Sequence, residues 1–480
     1  MQPELPLKYF EAISAIPRGS GNEKAIADYI ENFASKRGLN CVRDGLNNVF
    51  ITKEATKGYE NVPPILLQGH SDMVCEKNAA TKHDFLSDGL KLKIENGFLT
   101  AEGTTLGADD GAAVAMMLAV LDDGTIAHPY LECLFTTSEE TGMEGADGFD
   151  YSLIKSRRML NIDSEEENTV IAGCAGGCRS NFTLPCEWTK LTDAAPLWHL
   201  SVSGLAGGHS GGEIHTGKAS AIKLTGRILN SLYEKYPYQL AKIDGGTKDN
   251  SITRECDAFI AVTEPKKSEE YISSLVAEIK DELVKEDKGL KVTFSKAKTA
   301  EREACGRMMT FRSTRNVCSL LTLVPFGPSS RFEVDPSLIQ SSSNPGILKT
   351  SGDNVILSSL SRSAVSSILD EILQQLETLA RLVGASIGHV NRYPGWKYIG
   401  ATPFFNQYAA AYAELHNGEK PNITATHGGL ECGIFTTCVP GMDAISAGPD
   451  MFDIHSPDER LDLASFERMY RVVLKLLETK

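Results

Sequence analysis

Seven side chains able to bind a metal or move a proton recur beside short apolar runs. His70 and Asp72 follow ILLQG, Asp109 opens an Ala/Met/Leu-rich segment, Glu139 and Glu140 follow LECLFTTS, Asp163 follows MLNI, and His455 lies in AGPDMFDIHSPDER. An apolar run of four to eight residues closed by a turn reads as a buried strand of a parallel sheet, and in open α/β sheets chemistry gathers beyond the carboxyl ends of the strands. Residues two apart on an extended chain point the same way, so Asp72 can approach the His70 imidazole or share its pocket. For that pair alone, a hydrogen-bonded histidine at a strand end is the plain alternative. The adjacent acids Glu139 and Glu140 repel each other unless something positive holds them, although a solvated loop would tolerate them. Asp109 and Asp110 exceed what N-capping needs, for which one aspartate suffices. Taken together, these carboxylates and the His-x-Asp pair are most simply held by a cation.

Imidazole and carboxylate without thiolate suit zinc, cobalt or manganese, whereas calcium would want more oxygens and no histidine. The donors exceed the needs of one tetrahedral ion. Two ions would satisfy them, with His70 and Asp163 on one, Glu140 and His455 on the other, and Asp109 shared. Each would keep room for a common water, acidified towards a pKa of about 7. Glu139, beside a ligand and not needed as one, is placed to take that water's proton.

The elements that must position these residues read as follows. Residues 5–37 form two helices around the turn IPRGSGNE, and strands at 40–43, 48–52 and 64–68 lead to His70. A hairpin region at 90–102 precedes the helix-forming 112–121, and further strands at 131–136 and 158–162 carry the remaining acids. The glycine-rich AGCAGGC does not give G-x-G-x-x-G and no helix pattern follows it, so a dinucleotide site is discounted. From about Glu187 the strands alternate as half-exposed ones do, Ser268 reads as a helix cap, and Asn344 reads as a turn residue. Two stretches about a hundred residues apart resemble each other, which suggests an internal β-α-β-α repeat. From Gly388 the first pattern returns. The expected fold is α/β, a mixed, mostly parallel sheet with helices on both faces (1–186 and 389–480), plus an inserted α+β domain (187–388).

At 480 residues two domains are the default. The net charge of −15 argues against nucleic acid or an anionic membrane as partner. No leader pattern or bilayer-length apolar run is present, so a cytoplasmic protein is expected, and the eleven cysteines, without CxxC pairs, read as reduced thiols.

The motifs GHSDMV, GADDG, TSEETG, NIDSEE, AGGHSG and DIHSPDE, in this order across the chain, resemble the bacterial aminoacyl-histidine dipeptidases. These are also called Xaa-His or cytosolic nonspecific dipeptidases, within the two-zinc metallopeptidase group that includes tripeptidase T and glutamate carboxypeptidase. The resemblance implies the ligand roles above, most often with Zn2+ and with Co2+ or Mn2+ as alternatives. It further implies that Asp72 orients His70, that Glu139 is the general base, and that the Asp109–Asp110 peptide is cis. In the family this chain resembles, members acting on a free amino terminus tend to carry Asp where this chain has Asp163, whereas deacylase or carboxypeptidase members carry Glu. The inserted domain then acts as a lid and as the contact of a homodimer. His209 supplies an oxyanion hydrogen bond, and Asn250 and Arg362 hold the substrate carboxylate. His427, in HGGLE, is a candidate substrate-facing residue, with a helix start as the alternative.

The expected activity is hydrolysis of dipeptides with a free N-terminus, Xaa-His included, by a metal-bound hydroxide that a glutamate activates. A tripeptidase or an N-acyl amino acid amidohydrolase on the same site is the nearest alternative. A non-catalytic peptide-binding protein is the alternative from another class.

Overall fold

The computed structural model describes residues 4–191 and 196–480. The chain divides into two compact units, one of Met1–Cys174, Trp396–Ala425 and Leu430–Lys480, the other of Ala175–Gly395 and Thr426–Gly429.

The first unit is built on an eight-stranded sheet in the order Asn40–Arg43, Val49–Lys53, Leu131–Thr136, Ile65–His70, Arg158–Asn161, Asp443–Ser446, Thr169–Cys174 and Asn422–Thr426. Its centre is parallel, from Leu131–Thr136 through Asp443–Ser446, and Val49–Lys53 and Thr169–Cys174 flank it antiparallel. Ile65–His70 is buried at every position, which is why its sequence is a continuous apolar run and not an alternating one. Successive side chains go to opposite faces. Ile65 and Leu67 join a core formed with the helices Glu4–Ser14, Lys24–Arg37, Ala108–Asp122, Pro403–Leu415 and Leu463–Glu478. On the other face Phe50 meets Phe149, and Tyr151 meets Phe435 of the short helix Cys432–Cys438. The expected mixed α/β fold with helices on both faces is thus observed. Ala113–Leu121 is buried all round, so that helix runs through the core and has no polar stripe.

A four-stranded sheet, Met451–Phe452, Arg460–Asp462, Phe98–Ala101 and Leu92–Glu95, completes this unit. It matters for the site because it fixes both ends of the loop that carries His455. The Arg460 guanidinium lies over the Phe98 and Phe452 rings and pairs with Asp453.

In the second unit a nine-stranded sheet is antiparallel at every pairing described. The helices Ala221–Lys235, Pro265–Glu282, Phe311–Leu323 and Ser366–Val383 pack on it in one core. Two local expectations change here. Ser268 lies one turn inside its helix and donates to the Glu264 carbonyl at 2.9 Å, because Pro265, with no N–H to satisfy, takes the first helical position. Asn344 sits within the long strand Ile339–Ser351. Its amide donates to the carbonyls of Asp249 (2.8 Å) and Ser251 (2.9 Å), so it ties a neighbouring loop to the strand and makes no turn. Among the described residues no helix is long and apolar enough to cross a membrane.

Leu67 is fully buried on the strand that ends in His70. Leu67→Ala is expected to cost about 2–5 kcal/mol through lost burial and an unfilled cavity. Urea unfolding should show an earlier midpoint with the slope preserved.

Candidate active site

The parallel strands deliver their last residues to one edge, where the acids and histidines converge. His70 is the final residue of its strand, and its Nδ1 lies 3.3 Å from Asp72 Oδ1. Its Nε2 lies 3.0 Å from Asp109 Oδ1 and 3.5 Å from Asp163 Oδ1. His455 Nε2 lies 3.1 Å from Asp109 Oδ2 and 3.1 Å from Glu140 Oε1. Asp109 therefore turns one oxygen to each imidazole.

The Asp109–Asp110 peptide is cis, and both residues leave helical geometry. Asp110 points elsewhere. It accepts the His70 amide at 3.2 Å and the Ala113 amide at 3.3 Å, so both its oxygens are taken by the backbone. Asp72, which faces His70, is itself held by three hydrogen bonds. The amides of Glu139 (3.2 Å) and Glu140 (3.4 Å) and the Ser20 hydroxyl (2.7 Å) all donate to it. One carboxylate thus ties the His70 loop to the Glu139–Glu140 turn.

The second unit gathers the other candidates. Arg362 is 6 % exposed and donates to the Tyr393 hydroxyl at 3.1 Å, while its Nε has no hydrogen-bond partner among the described residues. Ser342, paired with Arg362 across the strands, bonds His427 Nε2 at 2.7 Å. Burial, then the charge of Arg362, lowers the His427 pKa to about 4. His209 Nδ1 accepts the Gly212 amide at 3.0 Å, which leaves Nε2 to carry the proton of the neutral ring. Partial burial of that ring, with Arg362 adding, holds its pKa below the ordinary value. Asn250 is held beside it, since its carbonyl accepts the Ser210 amide at 2.8 Å. His427 starts no helix, the next one being Cys432–Cys438.

The sequence model of peptidase family M20/M25/M40 matches residues 66–479. The chain belongs to this family. It is 36% identical over 473 residues to the cytosol non-specific dipeptidase of Escherichia coli (strain K12), covering 98% of this chain and 96% of that protein. The crystal structure of aminoacylhistidine dipeptidase from Vibrio alginolyticus has a TM-score of 0.93 at 34% identity, over 99% of this chain and 96% of that one. Aminopeptidase PepT from Bacillus cereus ATCC 10987, at 16% identity and a TM-score of 0.57 over 99% and 98% of the two chains, shares the fold. The resemblance drawn from the six motifs is borne out, and the protein is an M20 peptidase.

The donor atoms of this M20 chain fit divalent cations. Single ligand atoms of His70, Asp109 and Glu140 lie within 4.8 Å of one another; those of His70, Asp110 and Asp163 do as well, although the Asp110 oxygens already accept backbone amides. Their electrostatics point the same way. Burial works to lower the His70 pKa, but the Asp163, Asp109 and Asp72 carboxylates outweigh it and hold it well above the ordinary value. Burial pushes Asp163 up to about 8 against the pull of His70, with Asp109 and Glu431 adding their charge. Burial likewise raises Glu139 well above the carboxylate range, Asp163 and Glu431 adding to it and His70 opposing. His455 is raised to about 11 by its bonds to Asp109 and Glu140. Carboxylates packed this closely keep their protons or borrow those of histidines unless a cation takes their place.

Several site residues escaped the sequence reading. Glu459, four residues after His455, accepts the amides of Leu106 (2.8 Å), Gly107 (3.0 Å) and Ala108 (2.7 Å) and so shapes the loop leading to Asp109. Glu431 accepts from Gln68 and Thr136 beneath His70, and burial raises its pKa to about 7. Arg18, Ser20 and Glu23 lie in the turn before the second helix. Their only signal was an arginine and a glutamate in a glycine-containing turn between two apolar helices.

The neutral His427 gives a pH dependence whose sign is fixed. Its folded pKa of about 4 lies below the unfolded value of 6.5, so the unfolded chain binds the extra proton between them. Stability is full above the unfolded pKa and falls as pH drops from about 6.5 towards 4, by on the order of 3 kcal/mol. Urea unfolding across this range should lose that slope in His427→Gln.

Proposed function

We propose that the protein is a two-metal dipeptidase that cleaves dipeptides with a free N-terminus, Xaa-His included. The observation that carries the reading is Asp109, whose two oxygens each meet a different imidazole at 3.0 and 3.1 Å. A carboxylate so divided suits a bridge between two ions, with His70 and Asp163 on one side and Glu140 and His455 on the other. Imidazole and carboxylate donors together suit Zn2+, with Co2+ or Mn2+ able to replace it. When bound, the ions polarise the scissile carbonyl and acidify the attacking water.

The chain's own residues then do the following. Asp72 fixes the ring of His70 by facing its Nδ1. Glu139 takes the proton of the attacking water and returns it to the departing amine. Arg362, buried and donating to the Tyr393 hydroxyl, binds the substrate's free carboxylate through its planar pair of donors, and Asn250 helps to hold that carboxylate. His209, protonated on Nε2, donates to the oxyanion, and His427 supports the carboxylate end. Asp163, where a glutamate would suit acylated substrates, favours a free amino group. The reading also assigns catalysis to residues 1–186 and 389–480 and a lid and homodimer contact to 187–388, following the family resemblance. A cytoplasmic location follows the name of the Escherichia coli relative.

The deciding experiment is hydrolysis of Xaa-His and other dipeptides, a tripeptide and an N-acetyl amino acid before and after chelation and zinc return. Chelator-sensitive, zinc-restored cleavage of dipeptides alone is expected; preferred cleavage of the tripeptide or the acylated substrate would replace this reading with one of those activities. Glu139→Gln should lower kcat by about 10²–10⁴-fold while retaining metal. Loss of metal from that variant would make Glu139 a ligand. Arg362→Ala should raise KM for free dipeptides by about 10–100-fold and spare C-terminally amidated ones.

A further inference from the structure

The turn between the first two helices touches three of the loops that carry candidate site residues, those of His70, Asp109 and Glu139–Glu140. Arg18 is 1 % exposed, and its guanidinium donates to the carbonyls of Ser71 (3.2 Å), Asp72 (3.0 Å) and Gly107. Ser20 donates its hydroxyl to Asp72 Oδ2 at 2.7 Å. Glu23 Oε1 accepts the amide of Gly21 at 2.8 Å and both the amide and the hydroxyl of Ser138 at 3.2 Å. Gly19 forms a parallel bridge with Met73. The turn thus reaches the segments 71–73, 107 and 138 at once, although they lie far apart in the chain.

Two glycines of GADDG make room for it. A Cβ on Gly107 would stand 2.6 Å from Arg18 Nη2, and one on Gly111 would stand 2.6 Å from the same atom. Gly107 also has φ +64°, which a side chain would disfavour. The demanding backbone around Asp109 therefore accommodates a buried guanidinium as well as the aspartate itself.

We infer that Arg18, Ser20 and Glu23 are positioning residues of the catalytic centre, and that their turn holds the His70–Asp72, Gly107–Asp109 and Ser138–Glu140 segments in register. The inference rests on reading those segments as metal-binding. Ser20 is the most informative member. Its hydrogen bond fixes the rotation of the Asp72 carboxylate and leaves Oδ1 for His70 Nδ1 and the Glu139 amide. Without it, Asp72 turns more freely, and the aim of both His70 and Glu139 loosens. Glu23 acts on the other side of the centre, where it anchors Ser138, whose φ is +55°, directly before Glu139. Arg18 reaches two of the segments through carbonyls, and its charge also offsets those of Glu459, Asp72 and Asp110 behind the ligands.

The test compares wild type, Ser20→Ala, Ser20→Thr and Glu23→Gln as full-length proteins stripped of metal by chelation. Zn2+ uptake is followed by calorimetric titration, dipeptide turnover by kcat and KM, and folding by the thermal midpoint of the apoprotein. Arg18 is left intact because replacing a fully buried guanidinium risks the fold. Ser20→Ala should weaken one zinc step, that of the His70 side, by about 10–100-fold more than the other. It should lower kcat with KM within about twofold, shift the apoprotein midpoint by no more than about 2–4 °C, and be rescued by Ser20→Thr. Glu23→Gln should likewise lower kcat, with the midpoint held. Zinc steps and kcat equal to wild type in both variants would overturn the inference, as would a lowered apoprotein midpoint with zinc binding intact. A wild-type chain that takes up no zinc would overturn the metal reading, and this inference with it.

Discussion

Buried negative charge is the constraint around which the first unit is organised. An isolated carboxylate out of water is costly, and several within a few ångströms of one another cannot all ionise unless each finds a donor or a cation. The fold divides them into two groups. Asp72, Asp110 and Glu459 are satisfied by backbone amides, so they become parts of the framework. Asp109, Glu140 and Asp163 turn their oxygens to the two imidazoles, and Glu139 stands beside them with its pKa raised. The framework carboxylates shape loops, and those loops aim the remaining ones.

This division explains the local backbone. Strands of a parallel sheet all end at one edge, which brings His70 and Asp163 together without any sequence proximity. The short four-stranded sheet returns His455 to the same edge by fixing both flanks of its loop. Glycine at 107 and 111 then lets Arg18 come close enough to bond carbonyls of two loops. The second unit poses the opposite problem, a buried guanidinium with only a phenol as described partner.

Legibility in the sequence followed the range of the interactions. Continuous apolar runs disclosed the buried strands, because parallel strands covered on both faces admit no polar alternation. The acids and histidines closing those runs were readable as a metal-binding set from residue type alone. Where a residue acts across the chain, the local pattern misled or fell silent. Asn344 read as a turn former, yet its amide serves two carbonyls of a distant loop. Ser268 has the residue type of a cap, yet Pro265, three residues earlier, starts the helix and leaves Ser268 inside it.

The sequence by itself determined the kinds of donor, their placement at strand ends and the family. These depend on short-range hydrophobic patterning and on side-chain chemistry, both visible residue by residue. Tertiary structure alone decided that Asp110 turns to the His70 and Ala113 amides, that Asp72 binds the Glu139–Glu140 amides, and that Glu459 and Arg18 build the loops behind them. Glu459 and Leu106 are 353 residues apart, and Arg18 and Gly107 are 89 apart. Such pairings are set by strand order and packing, which place atoms to within tenths of an ångström and leave no local mark in the chain.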